Sequence, residues 1–129
     1  MSELLLDTHA FLWWVLGDER LPAAVRGQIP LADRVWVSAA SAWEIRTKYR
    51  LGKLPEAEPA LVIGLPSVAT SHGFRELGVT FADGDRAGSF AQPHKDPFDR
   101  MIAAQALNHR LAVVSNDSAL DAFGVVRVW

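Results

Sequence analysis

The fold is decided by residues 35–51, whose sequence is VWVSAASAWEIRTKYRL. Its β-branched and aromatic beginning, residues 35–38, predicts a strand, and residues 39–51 predict a helix that follows the strand directly. A period of 3.6 residues places four side chains on the inward face of this helix, namely Ala40, Trp43, Thr47 and Leu51. Glu44 falls on the same face. An unpaired buried carboxylate is strongly unfavourable, so Glu44 requires a compensating partner.

Short apolar strands alternate with helices along the whole chain, as they do in this segment. Strands are predicted near residues 4–7, 35–38, 74–79, 112–115 and 125–129, and helices near 10–16, 22–28, 39–51, 59–72, 83–90 and 97–109. This alternation implies an α/β fold, in which helices cover both faces of a parallel sheet. A length of 129 residues is typical of one domain, so we expect a single domain over residues 1–129.

Composition and the first residues exclude several classes of protein. Half of the residues are apolar, which is enough for a real core and argues against disorder. The sequence contains no cysteine and therefore has neither a disulfide framework nor a thiolate zinc site, as expected for a cytoplasmic protein. Residues 1–7 lack a basic region and reach an acid after three leucines, which predicts neither a signal peptide nor a membrane span.

Charge is distributed unevenly along the chain. The net charge of −2 argues against a broad basic surface that binds nucleic acid non-specifically. Lys48 lies among three further cations that share one helix face, namely Arg46, Arg50 and Lys53. This face could be solvated near the helix C-terminus, where the helix dipole favours cations, or it could contact phosphates. The two interpretations are compatible.

Three further acids lie where a strand is predicted to pass into a helix, namely Asp7, Asp99 and Asp117. Each has a structural explanation, because an aspartate at a helix N-terminus caps the helix or interacts with its dipole. Asp96, with Pro97 at the first helical position, is likewise predicted to be an N-cap. Glu44 lies in the middle of its helix and has no such explanation. The alternatives for Glu44 are a displaced helix frame or an ion pair with Arg46 or Arg100.

These acids have a reason to converge, because the carboxyl ends of parallel strands meet at one edge of a sheet. Four converging carboxylates, those of Asp7, Glu44, Asp99 and Asp117, repel one another unless a divalent cation lies between them. Carboxylate oxygens favour Mg²⁺ or Mn²⁺, and the four histidines are too scattered in sequence to predict zinc. We expect His9 to be a packed or surface residue, whereas His94 is the better candidate for a substrate contact.

Five segments resemble, in order, the motifs of PIN-domain proteins, and most closely those of the VapC-type toxins of bacterial toxin–antitoxin pairs. They are residues 4–10 (LLLDTHA), 37–45 (VSAASAWEI), 50–54 (RLGKL), 94–100 (HKDPFDR) and 114–117 (VSND). The resemblance runs from the first predicted strand to the last and is least distinctive over residues 56–92. It implies a three-layer α/β/α sandwich with a central, mainly parallel sheet.

The resemblance also implies a metal-dependent endoribonuclease that acts as the toxin of a toxin–antitoxin pair. By motif position, an acidic quartet would hold Mg²⁺ or Mn²⁺, and its members are Asp7, Glu44, Asp99 and Asp117. Asp96 is an additional acid, and Ser115 matches a small hydroxyl residue that could orient a ligand or water. Asn116 departs from the family pattern, in which a basic residue is frequent there. The cations that we expect to contact RNA are Arg46, Arg50, Lys53 and Arg100.

Two protein partners are implied by the same resemblance. One is a cognate antitoxin whose C-terminal segment blocks the acidic crevice, and the other is a second copy of the chain in a homodimer. The sequence itself offers a candidate interface, because residues 11–14 (FLWW) form an unusually apolar, aromatic patch on a short helix. We expect some of these side chains to lie in the core and the others to face a partner.

Three other functions are alternatives to the toxin. An aspartate-nucleophile phosphatase would need a second acid two residues after Asp7, where His9 stands, and a lysine near the later acids, where only Lys95 is available. A non-catalytic module could bind a metal and a partner in an acidic pocket. A housekeeping RNA-processing nuclease of the same fold would differ from a toxin by the absence of an antitoxin reading frame directly upstream.

Overall fold

The computed structural model describes residues 2–129 and contains five strands and seven α-helices in that range. The strands are β1 (Glu3–Leu6), β2 (Arg34–Ser38), β3 (Arg75–Leu77), β4 (Ala112–Val114) and β5 (Arg127–Val128). The α-helices are α1 (Thr8–Leu16), α2 (Ala23–Gln28), α3 (Ala39–Arg50), α4 (Glu58–Ile63), α5 (Leu65–Ser71), α6 (Phe81–Ser89) and α7 (Pro97–His109). Short 3-10 helices lie at Ile29–Leu31, Pro55–Ala57 and Ser118–Phe123.

The central sheet has the strand order β3-β2-β1-β4-β5, and all of these pairings are parallel. β1 lies in the middle, where Leu4 pairs with Val35 of β2 and with Ala112 of β4. Leu4, Leu5 and Leu6 are all buried, as expected for a strand that is covered on both faces. The predicted parallel sheet is confirmed. Its order also places the carboxyl ends of β1, β2 and β4 side by side.

Helices cover both faces of this sheet. Successive side chains of a strand point to opposite faces, so Leu4 and Leu6 pack with α1 to α5, whereas Leu5 packs with α7 and the 3-10 helix at Ser118–Phe123. α6 packs against α7 in the second layer of helices. This arrangement confirms the predicted three-layer α/β/α sandwich. Residues 2–129 contain no helix that is both long and apolar enough to cross a lipid bilayer.

The position of α1 corrects the expectation of an interface on its aromatic patch. Phe11, Leu12 and Trp13 are buried, and Trp14 is partly buried, with its indole Nε1 donating a hydrogen bond to His72 Nδ1 at 3.1 Å. The patch is apolar because α1 packs into the core that β1 forms with the helices of the same layer. The residues 11–14 are therefore explained by the core and give no support to a homodimer.

The single helix predicted at residues 59–72 is two helices, α4 and α5, which are separated by Gly64. The backbone of Gly64 has φ 104° and ψ 125°, which lies outside the helical region and is strained for any residue with a side chain. Pro66 follows in the first turn of α5, where its missing N–H leaves no hydrogen bond unmade. The sequence prediction missed this break because the apolar pattern continues across the glycine.

Candidate active site

A cleft at the carboxyl edge of the sheet collects the acids that the sequence singled out. It is lined by Asp7, His9, Glu44, Lys48, Asp96, Asp99, Asn116 and Asp117. The topology explains the convergence, because Asp7 follows β1, Glu44 lies on the helix that leaves β2, and Asp117 follows β4. α7 adds its own first turn to the cleft with Asp96 and Asp99. The four predicted quartet members therefore share one cleft, while their role as metal ligands stays a prediction.

Asp7 combines a structural task with an unusual electrostatic environment. Its Oδ1 accepts a hydrogen bond from the Ala10 backbone N–H at 2.8 Å, so it caps α1 as the sequence predicted. The side chain is nonetheless buried, and burial raises the pKa of Asp7 to about 6, although hydrogen bonds from Ser115 and Ala10 lower it in part. Capping therefore does not account for this carboxylate, since a cap alone does not require burial of the charge.

The metal-free Asp7→Asn variant is expected to be more stable than the wild type at pH 7.5, by about 3 kcal/mol. The folded state binds a proton at Asp7 with a pKa of about 6, against 3.8 in the unfolded chain. The free energy of unfolding therefore falls as the pH rises between these values, and the full penalty is present at pH 7.5. Asparagine carries no charge and caps a helix equally well.

Urea unfolding in EDTA at pH 4 and pH 7.5 tests this expectation. The measured quantity is the difference in the free energy of unfolding between Asp7→Asn and the wild type. That difference should be small at pH 4, where Asp7 is largely protonated in the folded state. A variant that is less stable than the wild type at pH 7.5 would show that the charged form of Asp7 stabilises the fold.

Glu44 is buried, with 3% of its surface exposed, and its partner is a lysine that the sequence analysis overlooked. Glu44 Oε2 forms an ion pair with Lys48 Nζ one helical turn later, and Glu44 Oε1 accepts a hydrogen bond from Thr8 Oγ1. The expected alternatives, Arg46 and Arg100, do not pair with it. A glutamate four residues before a lysine on one helix was a sufficient signal for this pair.

The frame of α3 differs from the prediction by about one position. The buried residues of the helix are Ala40, Ser41, Glu44 and Ile45. Trp43 and Leu51, which were expected to face inward, are 66% and 54% exposed. Helical periodicity fixes the spacing of an inward face but not its phase, and the prediction assigned the phase from the tryptophan. The displacement moves Glu44 to the centre of the inward face.

Asp99 and His94 form a hydrogen-bonded pair at the mouth of the cleft. His94 Nε2 lies 2.9 Å from Asp99 Oδ2, and burial raises the pKa of Asp99 while this hydrogen bond lowers it. One ligand atom from each of His94, Asp99 and Asp117 lies within 4.8 Å of the other two. Asp96 instead caps α7, since its Oδ1 accepts from the backbone N–H groups of Phe98 and Asp99. The geometry thus gives Asp96 the capping role that the sequence predicted.

Asp117 and Ser115 are linked through the backbone after β4. Ser115 Oγ accepts a hydrogen bond from the Asp117 N–H at 3.0 Å, and Asp117 Oδ1 accepts from the Ala119 N–H at 3.0 Å. Ser115 is fully buried and also contacts the carboxylate of Asp7. This serine therefore connects the two acids that follow the central strands, β1 and β4. Such a contact agrees with the orienting role that was expected of Ser115.

The side chains of the cleft fit a hard divalent cation. Five carboxylates, those of Asp7, Glu44, Asp96, Asp99 and Asp117, face a single ammonium group, that of Lys48. Carboxylate oxygens at this density favour Mg²⁺ or Mn²⁺, and one imidazole beside them is acceptable to Mn²⁺. The raised pKa values of Asp7 and Asp99 show that these two carboxylates are poorly compensated by the protein alone. A cation between them would supply the missing charge.

The four cations expected to contact RNA occupy different environments. Arg50 and Lys53 are exposed, and Arg46 is exposed with a weak hydrogen bond from Nη2 to the Leu61 carbonyl at 3.4 Å. Arg100 differs from the other three, because its guanidinium donates to four backbone carbonyls, those of Ala87, Phe90, Gln92 and His94, while its contact with RNA stays a prediction. These bonds occupy four of its five N–H donors and hold residues 87–94 against α7. Arg100 is therefore a structural residue that positions His94.

Replacing Arg100 with alanine is expected to destabilise the fold by about 2–3 kcal/mol, because it leaves several partly buried carbonyls without their charged donor. Urea unfolding measures the loss directly. Arg86→Ala on α6 is the matched control, since Arg86 is exposed and its loss should change the free energy of unfolding by less than about 0.5 kcal/mol. Equal stability of the two variants would refute the structural role of Arg100.

Comparisons with known proteins agree with this architecture. The PIN domain family model matches residues 4–126. Ribonuclease VapC22 of Mycobacterium tuberculosis (strain ATCC 25618 / H37Rv) is 31% identical over 123 residues, which cover 93% of this chain and 91% of that protein.

Solved structures share the fold at lower identity. A complex of VapBC2 from Rickettsia felis with a promoter DNA fragment matches with a TM-score of 0.68 at 13% identity, over 98% of both chains. VapC20 of Mycobacterium tuberculosis, described as a toxin that cleaves the sarcin–ricin loop, matches with a TM-score of 0.65 at 21% identity, over 97% of this chain and 98% of that one. The family model and the 31% identical relative extend over nearly the whole chain, and the chain therefore belongs to the PIN-domain family, as a relative of the VapC ribonucleases.

Proposed function

We propose that the chain is a Mg²⁺- or Mn²⁺-dependent endoribonuclease that acts as the toxin of a toxin–antitoxin module. The observation that carries this proposal is the cleft in which Asp7, Glu44, Asp99 and Asp117 converge at the carboxyl edge of a parallel sheet. The relationship to a ribonuclease of the VapC group supports RNA as the substrate. The reaction is hydrolysis of a phosphodiester bond that leaves a 5′-phosphate and a 3′-hydroxyl.

Each residue of the cleft has a task in this reaction. A cation held in the cleft would supply an activated water and would neutralise charge on the phosphodiester oxygens. Asp99 and Asp117 would hold the cation directly, with Asp7 and Glu44 completing the acidic quartet. Ser115 keeps Asp7 and Asp117 in position through its two hydrogen bonds. Lys48 compensates the charge of Glu44 and lies at the cleft, where it can approach a substrate phosphate.

The antitoxin partner is supported by solved structures of the same fold, among them a toxin–antitoxin complex from Klebsiella pneumoniae. We extend the proposal to a cognate antitoxin that covers the acidic cleft of this chain. A homodimer is also part of the proposal, and the burial of residues 11–14 gives no support for an interface there. Light scattering at micromolar concentration tests the dimer, and a monomer would remove it. An antitoxin reading frame directly upstream of the gene would favour the toxin over a housekeeping nuclease.

Cleavage of total cellular RNA by the purified chain tests the proposed function. The reactions contain Mg²⁺, Mn²⁺ or EDTA, and Glu44→Gln serves as the inactive variant with nearly unchanged side-chain volume. Discrete fragments that require the metal and disappear in the variant would support the nuclease. Metal binding without cleavage by antitoxin-free protein would favour the non-catalytic module. Fragments that persist in EDTA would contradict a metal-dependent reaction.

A further inference from the structure

An exposed aromatic pair stands beside the acidic cleft. Trp43 of α3 is 66% exposed, and its ring packs edge-to-face on Phe98 of α7, with ring centroids 4.9 Å apart and planes inclined by 75°. Large aromatic side chains are normally buried, so a tryptophan with this exposure requires an explanation. Its contact with Phe98 holds the ring in place, while most of the indole surface stays open to solvent.

The chain fixes this pair at the rim of the cleft. Trp43 directly precedes Glu44, and Phe98 directly precedes Asp99, so each aromatic residue is one Cα step from a carboxylate that lines the cleft. Consecutive helical residues point about 100° apart. The carboxylate of Glu44 lines the cleft, while the indole of Trp43 leaves the next position of the helix and packs on Phe98, beside the lining residue Asp99. A ligand that reaches the acids from this side passes the aromatic pair.

Cations continue the same surface along α3. Arg46 and Arg50 follow Trp43 at spacings of three and seven residues, which is one face of a helix, and both are exposed. Lys53 is exposed just beyond the helix. An aromatic ring followed by a row of cations is the pattern that binds single-stranded nucleic acid, in which bases stack on rings and phosphates pair with cations.

We propose that the Trp43–Phe98 pair is the stacking surface for an unpaired base of the RNA substrate that flanks the cleaved phosphate. The proposal rests on the ribonuclease function given above and adds to it a residue that positions the substrate. Single-stranded RNA fits this surface better than a folded protein does, because the aromatic rim adjoins the row of cations on one side and the carboxylate cleft on the other. The expected occupant is a splayed nucleotide, with its backbone running towards Arg46 and Arg50.

Fluorescence anisotropy with a defined single-stranded RNA octamer in Mg²⁺ tests the proposal. All proteins carry Asp7→Asn, so that the probe stays intact and binding is measured without cleavage. Trp43→Ala should raise the Kd by roughly 5- to 100-fold, which is the range for the loss of one stacked base. Trp43→Phe should retain much of the affinity. Phe81→Ala is the matched control, because Phe81 is a fully exposed aromatic residue on α6 and should not contribute.

A second probe distinguishes base stacking on Trp43 from electrostatic attraction of the RNA backbone to the protein. It is an octamer with the same ribose-phosphate backbone in which every base is absent, and its binding should not change in Trp43→Ala. Unchanged binding of the normal octamer to Trp43→Ala would overturn the proposal and leave the pair as a surface for a protein partner. An equal loss with both probes would also overturn it. Weaker binding of Trp43→Ala to the normal octamer alone would support the stacking proposal. This result would stand even if the wild-type chain cut no RNA, so the experiment distinguishes failure of the stacking proposal from failure of the ribonuclease proposal.

Discussion

Replacing Asp99 with asparagine is expected to lower the rate of RNA cleavage by about two orders of magnitude or more, because loss of even an indirect metal contact commonly costs 10- to 100-fold. Asp99 contributes one of three ligand atoms that lie within 4.8 Å of one another, together with His94 and Asp117. The substitution removes a negative charge at that point. The substitution should leave the fold intact, since Asp99 is only partly buried. Burial also raises the pKa of Asp99, which means that the folded state disfavours its negative charge and does not depend on it.

Asp96→Asn is the matched control for this variant. Asp96 lines the same cleft three residues earlier, but its Oδ1 caps α7. Asparagine caps a helix as well as aspartate does, so the Asp96 variant should retain most of the wild-type rate. Initial rates at saturating Mn²⁺ and circular dichroism of both proteins provide the comparison. Equal losses in the two variants would remove the distinction between the capping acid and the ligand acid.

The second large effect is expected at Lys48, whose replacement by methionine should destabilise the metal-free chain by about 2 kcal/mol. The change leaves the buried carboxylate of Glu44 with only the Thr8 hydroxyl as a partner. Breaking a buried ion pair costs more than this in a fully enclosed site, and the partial exposure of Lys48 reduces the loss. A divalent cation in the cleft would replace part of the missing positive charge.

Urea unfolding in EDTA and in Mn²⁺ measures both parts of this prediction. Mn²⁺ should stabilise Lys48→Met by a larger free energy than it stabilises the wild type, because only the variant lacks the internal cation. Lys53→Met controls for the loss of a lysine on the same segment, since Lys53 is exposed. The same gain from Mn²⁺ in all three proteins would argue that Glu44 does not interact with the metal.

The sequence predicted the type and order of the main elements because apolar residues recur with different periods in strands and in helices. The buried strands β1, β2 and β4 and the helices α3 and α7 were each located within a few residues, and the strand ends correctly brought Asp7, Glu44 and Asp117 together. The prediction that Asp99 follows a strand was wrong, because α7 follows α6 and a loop. Short apolar runs and helical stripes are local properties, so one sequence is enough to recognise them. The parallel connection accounts for the convergence of Asp7, Glu44 and Asp117, whereas Asp99 reaches the cleft because α7 packs beside it.

The orientation of Trp43 and the hydrogen bonds of Arg100 depend on tertiary packing and were not predicted from the sequence. Trp43 was assigned to the inward face because it is apolar, yet Ile45 and Glu44 occupy that face and the tryptophan lies at the rim. Arg100 was expected to contact RNA because it is charged, and its hydrogen bonds to the carbonyls of residues 87–94 give it a structural role that the sequence did not predict. Neither outcome is encoded in local periodicity. Both depend on which segment packs against the helix, and that is a property of the folded chain.

Mn²⁺ binding by the wild-type chain and by Asp99→Asn, followed by isothermal titration calorimetry, tests most directly whether the acidic cleft is a metal centre. We predict that the wild type binds Mn²⁺ and releases it to EDTA, and that Asp99→Asn binds at least about 10-fold more weakly while its fold is unchanged. Binding of equal affinity in the two proteins, or no binding by the wild type, would contradict the assignment of this cleft as the metal centre of a ribonuclease.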